Sequence, residues 1–190
     1  MDGILYIVAT PIGNLSDLTY RALNILNKVD FVYCEDTRIT RRLFSKYKIS
    51  NKLKVLNDVN EDYKKNTIID LLKSGEKIAL VSDAGTPCIS DPGYRIVNLA
   101  RKNNINVITI PGACSVSAAL SVCGLPTDNY FYQGFLPKKK GRQKKMKELS
   151  ELNCTIVIFE SPKRVLKTLN DILFHMGDRY IALCKELTKV

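Results

Sequence analysis

The chain reads as an α/β protein. Short apolar runs rich in Val and Ile alternate with longer segments whose apolar residues recur at helical spacing, the order expected of sheets covered by helices. Nearly every short run leads into a cluster of Gly, Pro and small polar residues. A composition of 45% hydrophobic and 25% charged residues over 190 positions is that of a globular chain able to bury one or two cores.

In order, the strands are expected at 4–10, 31–35, 53–56, 77–82, 105–110, 130–134, 154–160 and 179–184, each a short β-branched or aromatic run. Helices are expected at 18–29, 39–47, 61–74 closed by Gly75, 93–103, 115–123 closed by Gly124, 142–152 and 162–176. Two α/β domains are expected, at 1–112 and 113–190.

Composition narrows the function. Cys34, Cys88, Cys114, Cys123, Cys154 and Cys184 include no C-x-x-C pair and mostly sit in apolar runs, which suits reduced core thiols. The single histidine, His175, stands at a helix end, where it can bond a free carbonyl; one histidine excludes most His-based metal sites, and no metal is expected. No signal segment or uninterrupted apolar stretch of membrane-spanning length occurs, so a cytoplasmic protein is expected. The formal charge is +10, and "PKKKGRQKKMK" at 137–147 carries seven basic residues and no acid. Such a block suits phosphates at low specificity, or simply a solvated loop.

In α/β folds ligands bind beyond the carboxyl ends of the strands. Here those ends read "TPIGN", "EDTR", "SDAGTP", "PGACS", "GFLP", "ESPKR" and "KELTK". Pro11 and Gly13 make a tight turn that lets backbone N–H groups approach a ligand, and Gly85 does the same beside Asp83, which can accept from hydroxyls or amines. A small-residue loop opens a helix at Ser115, where free N–H donors face outward. Neither G-x-G-x-x-G after the first strand nor G-x-x-x-x-G-K-[ST] is present, which leaves out the two familiar phosphate-binding fingerprints.

Taken in order, "VATPIGNLSDLTYRAL", "CEDTR", "VSDAGTPCISDPGYRIV", "PGACSVSAALSVCGLP", "YQGFLPKKKG", "FESPKR" and "KELTK" resemble the bacterial ribosomal RNA small-subunit methyltransferase I family, a branch of the tetrapyrrole methylase-like, class III S-adenosylmethionine enzymes. The resemblance covers essentially the whole chain. It implies a two-domain α/β fold with S-adenosylmethionine in the interdomain cleft, usually in a homodimer, and 2′-O-methylation of a cytidine of 16S rRNA in the decoding region of the small ribosomal subunit. It places cofactor contacts at Thr10, Pro11, Gly13 and Asn14, at Asp83, Ala84 and Gly85, at Cys88 and Ile89, and at Ser115 and Ala118. Lys163 stands where the family commonly has a histidine, and "VLNDVNEDY" replaces its usual His-containing run. Relatives continue beyond "KELTK", so the second domain is expected to be incomplete.

Methyl transfer to a ribose hydroxyl needs alignment, exclusion of water and an acceptor for the hydroxyl proton. The candidates are Glu35, Asp36, Glu160, Lys185 and Glu186, each of which could equally tie strand ends together. Arg38, Arg41, Arg42, Arg164, Lys138, Lys139, Lys140, Lys144 and Lys145 are candidate contacts to RNA phosphate. Two other readings stand beside this one: a methylase of a tetrapyrrole or other small acceptor, against which the basic run and the "EDTR" and "ESPKR" motifs weigh, and a non-catalytic basic RNA-binding module. Titration with S-adenosylmethionine separates that last reading from the others.

Overall fold

The computed structural model describes residues 3–189. By its contacts the chain falls into two units, one running through Ser115 and joined by Thr188 and Lys189, the other Val116–Leu187.

The first unit is a parallel five-stranded sheet with helices on both faces. Its strands are β1 (Ile4–Val8), β2 (Phe31–Cys34), β3 (Leu53–Val55), β4 (Lys77–Leu80) and β5 (Asn106–Ile110), in the spatial order β3-β2-β4-β1-β5. The helices are α1 (Tyr20–Lys28), α2 (Thr37–Tyr47), α3 (Glu61–Lys73) and α4 (Tyr94–Lys102). Successive side chains of a strand point to opposite faces, so each strand feeds two cores. Leu5, Ile78 and Leu80 pack with Leu72 of α3 and Ile96 of α4. Val8, Ala79 and Val81 pack with Ala22 and Leu26 of α1 and Phe44 of α2. A strand buried on both sides reads as the continuous apolar run seen in the sequence.

Local chemistry sets the helix ends. Thr19 accepts from the Ala22 N–H to start α1, and Asp36 accepts from the Arg38 N–H to start α2. The start of α4 is capped from a distance: Oε1 of the buried Glu61, on α3, accepts from the N–H groups of Gly93 (3.1 Å), Arg95 (3.0 Å) and Ile96 (3.4 Å). Gly93 is required there. Its φ is +125°, and a Cβ would lie 2.5 Å from Leu80 Cδ2.

In the second unit β6 (Tyr130–Phe135) and β7 (Thr155–Phe159) pair in parallel, with a register shift between Tyr132 and Gly134. Helices α6 (Arg142–Ser150) and α7 (Val165–Met176) surround Leu136, Met146 and Leu149, with Ile156, Ile158 and Ile172 against them. Helix α5 (Ser115–Val122) leads into this unit.

One expected element does not form. Residues 179–184 are irregular and exposed, with Tyr180 93% accessible. A strand exists through its hydrogen-bonded neighbour, and among the described residues none pairs with this run.

Candidate functional site

Four strand-end loops of the first unit converge. After β1, Thr10 is buried and pairs with Gly85 in an isolated antiparallel bridge: Thr10 N–H donates to Gly85 O at 2.8 Å and Gly85 N–H returns to Thr10 O at 3.0 Å. The Thr10 hydroxyl also donates to Ser82 O at 3.1 Å, and Ser82 Oγ donates to Gly85 O at 3.2 Å. Thr86 Oγ1 donates to Ala113 O at 3.2 Å, which joins the loop after β5. The loop after β2 is tied in by Asp36, whose N–H donates to Asp83 Oδ1 at 3.0 Å, while Asp83 N–H donates to Glu35 Oε1 at 3.4 Å.

This frame carries backbone strain. Gly85 sits at φ +88°, and the non-glycine residues Cys88 and Ser90 sit at +70° and +63°. Left-handed backbone at such residues costs about 1–3 kcal/mol each and persists only where the surroundings hold it. Pro87 and Pro92, both buried, flank that segment.

The acids of these loops are differently tuned. Burial, and after it the Asp91 charge, pushes Glu35 up to about 7. Burial also raises Asp83 and Asp91. Asp36 goes the other way, down to about 2, because the Arg38 guanidinium grips both of its oxygens, Nη2 lying 2.5 Å from Oδ2. Burial, with the Glu61 charge next, takes the Cys88 thiol up to about 11, so it is a poor nucleophile at neutral pH.

The remaining expected residues are placed as follows. Pro11 is buried and Ala84 and Ile89 are exposed on the loop surface. Asn14 caps a short 3-10 turn by accepting from Ser16 N–H. Ser115 opens α5, and Ala118 lies half-buried in its first turn. Arg41 and Arg42 are exposed on α2. In the second unit Lys138, Lys139, Lys140 and Lys144 are exposed, whereas Lys145 pairs with Glu148 at 2.5 Å. Lys185 and Glu186 lie exposed in the irregular tail.

Glu160 and Arg164 belong to a buried polar network instead of an open surface. Arg164 Nη2 lies 2.6 Å from Glu160 Oε1, and Thr168 Oγ1 donates to Glu160 Oε2 at 2.7 Å. Arg142, 7% exposed at its side chain, donates from Nε to Asp171 at 2.7 Å and from Nη2 to Thr168 at 2.7 Å. Burial works to raise Glu160, but the Thr168 and Ser161 hydrogen bonds and the Arg164 charge outweigh it and hold the carboxyl below its usual range.

Comparison with known proteins decides the family. The profile of the family "Tetrapyrrole (Corrin/Porphyrin) Methylases" matches residues 4–190. The chain is 48% identical over 188 residues to ribosomal RNA small subunit methyltransferase I of Vibrio cholerae, covering 98% of this chain and 65% of that protein. It is 46% identical to the protein of the same name from Thermotoga maritima, covering 99% and 85%. It belongs to the tetrapyrrole methylase family, among the small-subunit methyltransferase I proteins.

The chain also shares its fold with the cobalamin biosynthetic enzyme cobalt precorrin-4 methyltransferase, at a TM-score of 0.63 and 18% identity over 91% of this chain and 74% of that one. The chain spans about two thirds of the length of the Vibrio cholerae relative. Among the described residues no helix is long and apolar enough to cross a membrane.

Several residues that build this site escape sequence reasoning. Thr188 Oγ1 accepts from the Asn14 N–H at 3.2 Å, and a Cβ on Gly13 would meet it at 2.7 Å, so the end of "KELTK" closes on the "TPIGN" turn. Glu61 caps α4 from 32 residues away in sequence, and no local motif announces it.

Proposed function

We propose that this chain is an S-adenosylmethionine-dependent methyltransferase that 2′-O-methylates a cytidine of 16S rRNA in the small ribosomal subunit. The observation that carries the reading is the 46–48% identity, along nearly the whole chain, to proteins called ribosomal RNA small subunit methyltransferase I. A cytoplasmic homodimer is part of the same proposal.

The strand-end loops fit the cofactor. At Gly85 the backbone sits at φ +88° and carries no side chain, which supports the reading that a ligand approaches the backbone of residues 83–85. Thr10, Pro11, Gly13 and Asn14, the 83–89 loop and Ser115 with Ala118 are the residues assigned to hold it. When bound, S-adenosylmethionine supplies an already activated methyl group. The chain itself then has to orient the ribose hydroxyl, exclude water and take up its proton. Of the candidate acids, Glu35 suits the proton transfer, since at about 7 its carboxylate is basic enough to accept a proton and ionised enough to be ready. Asp36 is held below its usual range by the Arg38 guanidinium, and Glu160 by its Thr168 and Ser161 hydrogen bonds with the Arg164 charge beside them, which suits a framework. Arg38, Arg41, Arg42 and the lysines of 138–144 are assigned to RNA phosphate.

The test is mass spectrometric mapping of ribose methylation on small-subunit rRNA from cells lacking the gene, with and without the gene restored. Loss and recovery of one 2′-O-methylcytidine is the expected result. Unchanged ribose methylation would overturn the reading.

A further inference from the structure

Folding divides the basic run at 137–147. Arg142 turns inward to the Thr168 network and Lys145 pairs with Glu148, while Lys138, Lys139, Lys140 and Lys144 face a cavity of about 550 Å³. The opposite wall of that cavity is one face of α7. Lys167, Asp171 and His175 recur there every four residues, a spacing that stacks side chains along a helix.

The charge in this basin is one-sided. Its single acid, Asp171, is held by Arg142 Nε at 2.7 Å, and among the described residues no salt bridge engages Lys138, Lys139, Lys140, Lys144 or Lys167. Five ammonium groups around one concavity repel one another and focus a positive potential that an anion relieves. The volume exceeds what a lone phosphate fills, and lysines act as point charges with no preference for base edges.

We infer that this basin, completed by Lys167 and His175 of α7, binds a stretch of the phosphodiester backbone of the RNA substrate without regard to base sequence. The inference rests on the rRNA reading above and adds to it two residues outside the basic run.

Charge reversal at two exposed lysines tests it. Lys167→Glu changes the basin, while Lys147→Glu makes the same change in net charge outside it. Small ribosomal subunits lacking the modification are titrated with each protein across a range of salt, and S-adenosylmethionine affinity is followed by calorimetry. Lys167→Glu is expected to weaken subunit binding roughly tenfold and lower the log–log salt slope by about 0.7–0.9, the share of one phosphate contact. Lys147→Glu is expected to do much less, and cofactor affinity should stay unchanged in both. Equal losses in the two variants, or none in Lys167→Glu, would overturn the basin alone. Failure of the wild-type protein to bind subunits at any salt would overturn the rRNA reading with it.

Discussion

Arg142 Nη2 donates to Thr168 Oγ1 at 2.7 Å, and the same hydroxyl donates onward to Glu160 Oε2 at 2.7 Å. This relay joins the first turn of α6 to the loop after β7 through α7, and it buries an arginine inside a run whose lysines are mostly exposed.

Removing one member of a buried ionic network leaves its partners desolvated and unpaired, at a cost of about 3–5 kcal/mol. Arg142→Met is therefore expected to destabilise the second unit by that order, and Thr168→Val by about 1–3 kcal/mol. Urea denaturation measures both. Glu160→Gln separates framework from chemistry: a framework carboxylate loses stability along with activity, whereas a reacting group loses turnover in a protein that melts normally.

The cap that Glu61 provides for α4 holds the strained 88–93 segment in place. Glu61→Ala strands three N–H donors and is expected to cost about 2–3 kcal/mol, while Glu61→Gln keeps an oxygen acceptor and costs about 1 kcal/mol. Gly93→Ala meets both the +125° backbone and Leu80, so thermal melting should place it below Glu61→Gln.

The proposed placement of the cofactor against the 83–85 loop makes its binding depend on Gly85. Valine there combines a β-branched side chain with φ +88° and a contact to Ile12. Gly85→Val is expected to abolish S-adenosylmethionine binding in calorimetry. A folded variant of wild-type affinity would refute the placement of the cofactor against this loop.

In the proposed mechanism Glu35 links stability and activity to pH in opposite directions. Its carboxyl titrates from about 7 in the folded chain, against an ordinary 4.5, so between these values the folded state holds the extra proton. Its contribution to stability is therefore full below about 4.5 and is lost as pH rises through about 7. With Glu35 as the proposed proton acceptor, methyl transfer should rise across the same upper window. Glu35→Gln should flatten both profiles. An unchanged pH–rate curve would exclude Glu35 from the proton transfer.

Most of the fold is legible locally. Residues 31–35 and 77–82 are short β-branched runs with turn residues behind them, and they became β2 and β4 within a residue or two. The run at 179–184 has a similar composition, but among the described residues no strand pairs with it, and it stayed irregular. The loop "SDAGTP" is legible as a tight strand-end loop through its glycine, yet its bonds to Thr10 and to Asp36 are not, because they link positions 75 and 47 residues apart.

The sequence by itself determined the alternation of strands and helices, the strand-end loops and the family, because these rest on short-range periodicity, turn chemistry and motif order. The tertiary structure alone decided the strand order β3-β2-β4-β1-β5, which carboxylate is raised and which lowered, and which lysines share a basin. Desolvation and charge pairing depend on which groups meet across the fold, and a parallel sheet brings together loops that the chain keeps dozens of residues apart.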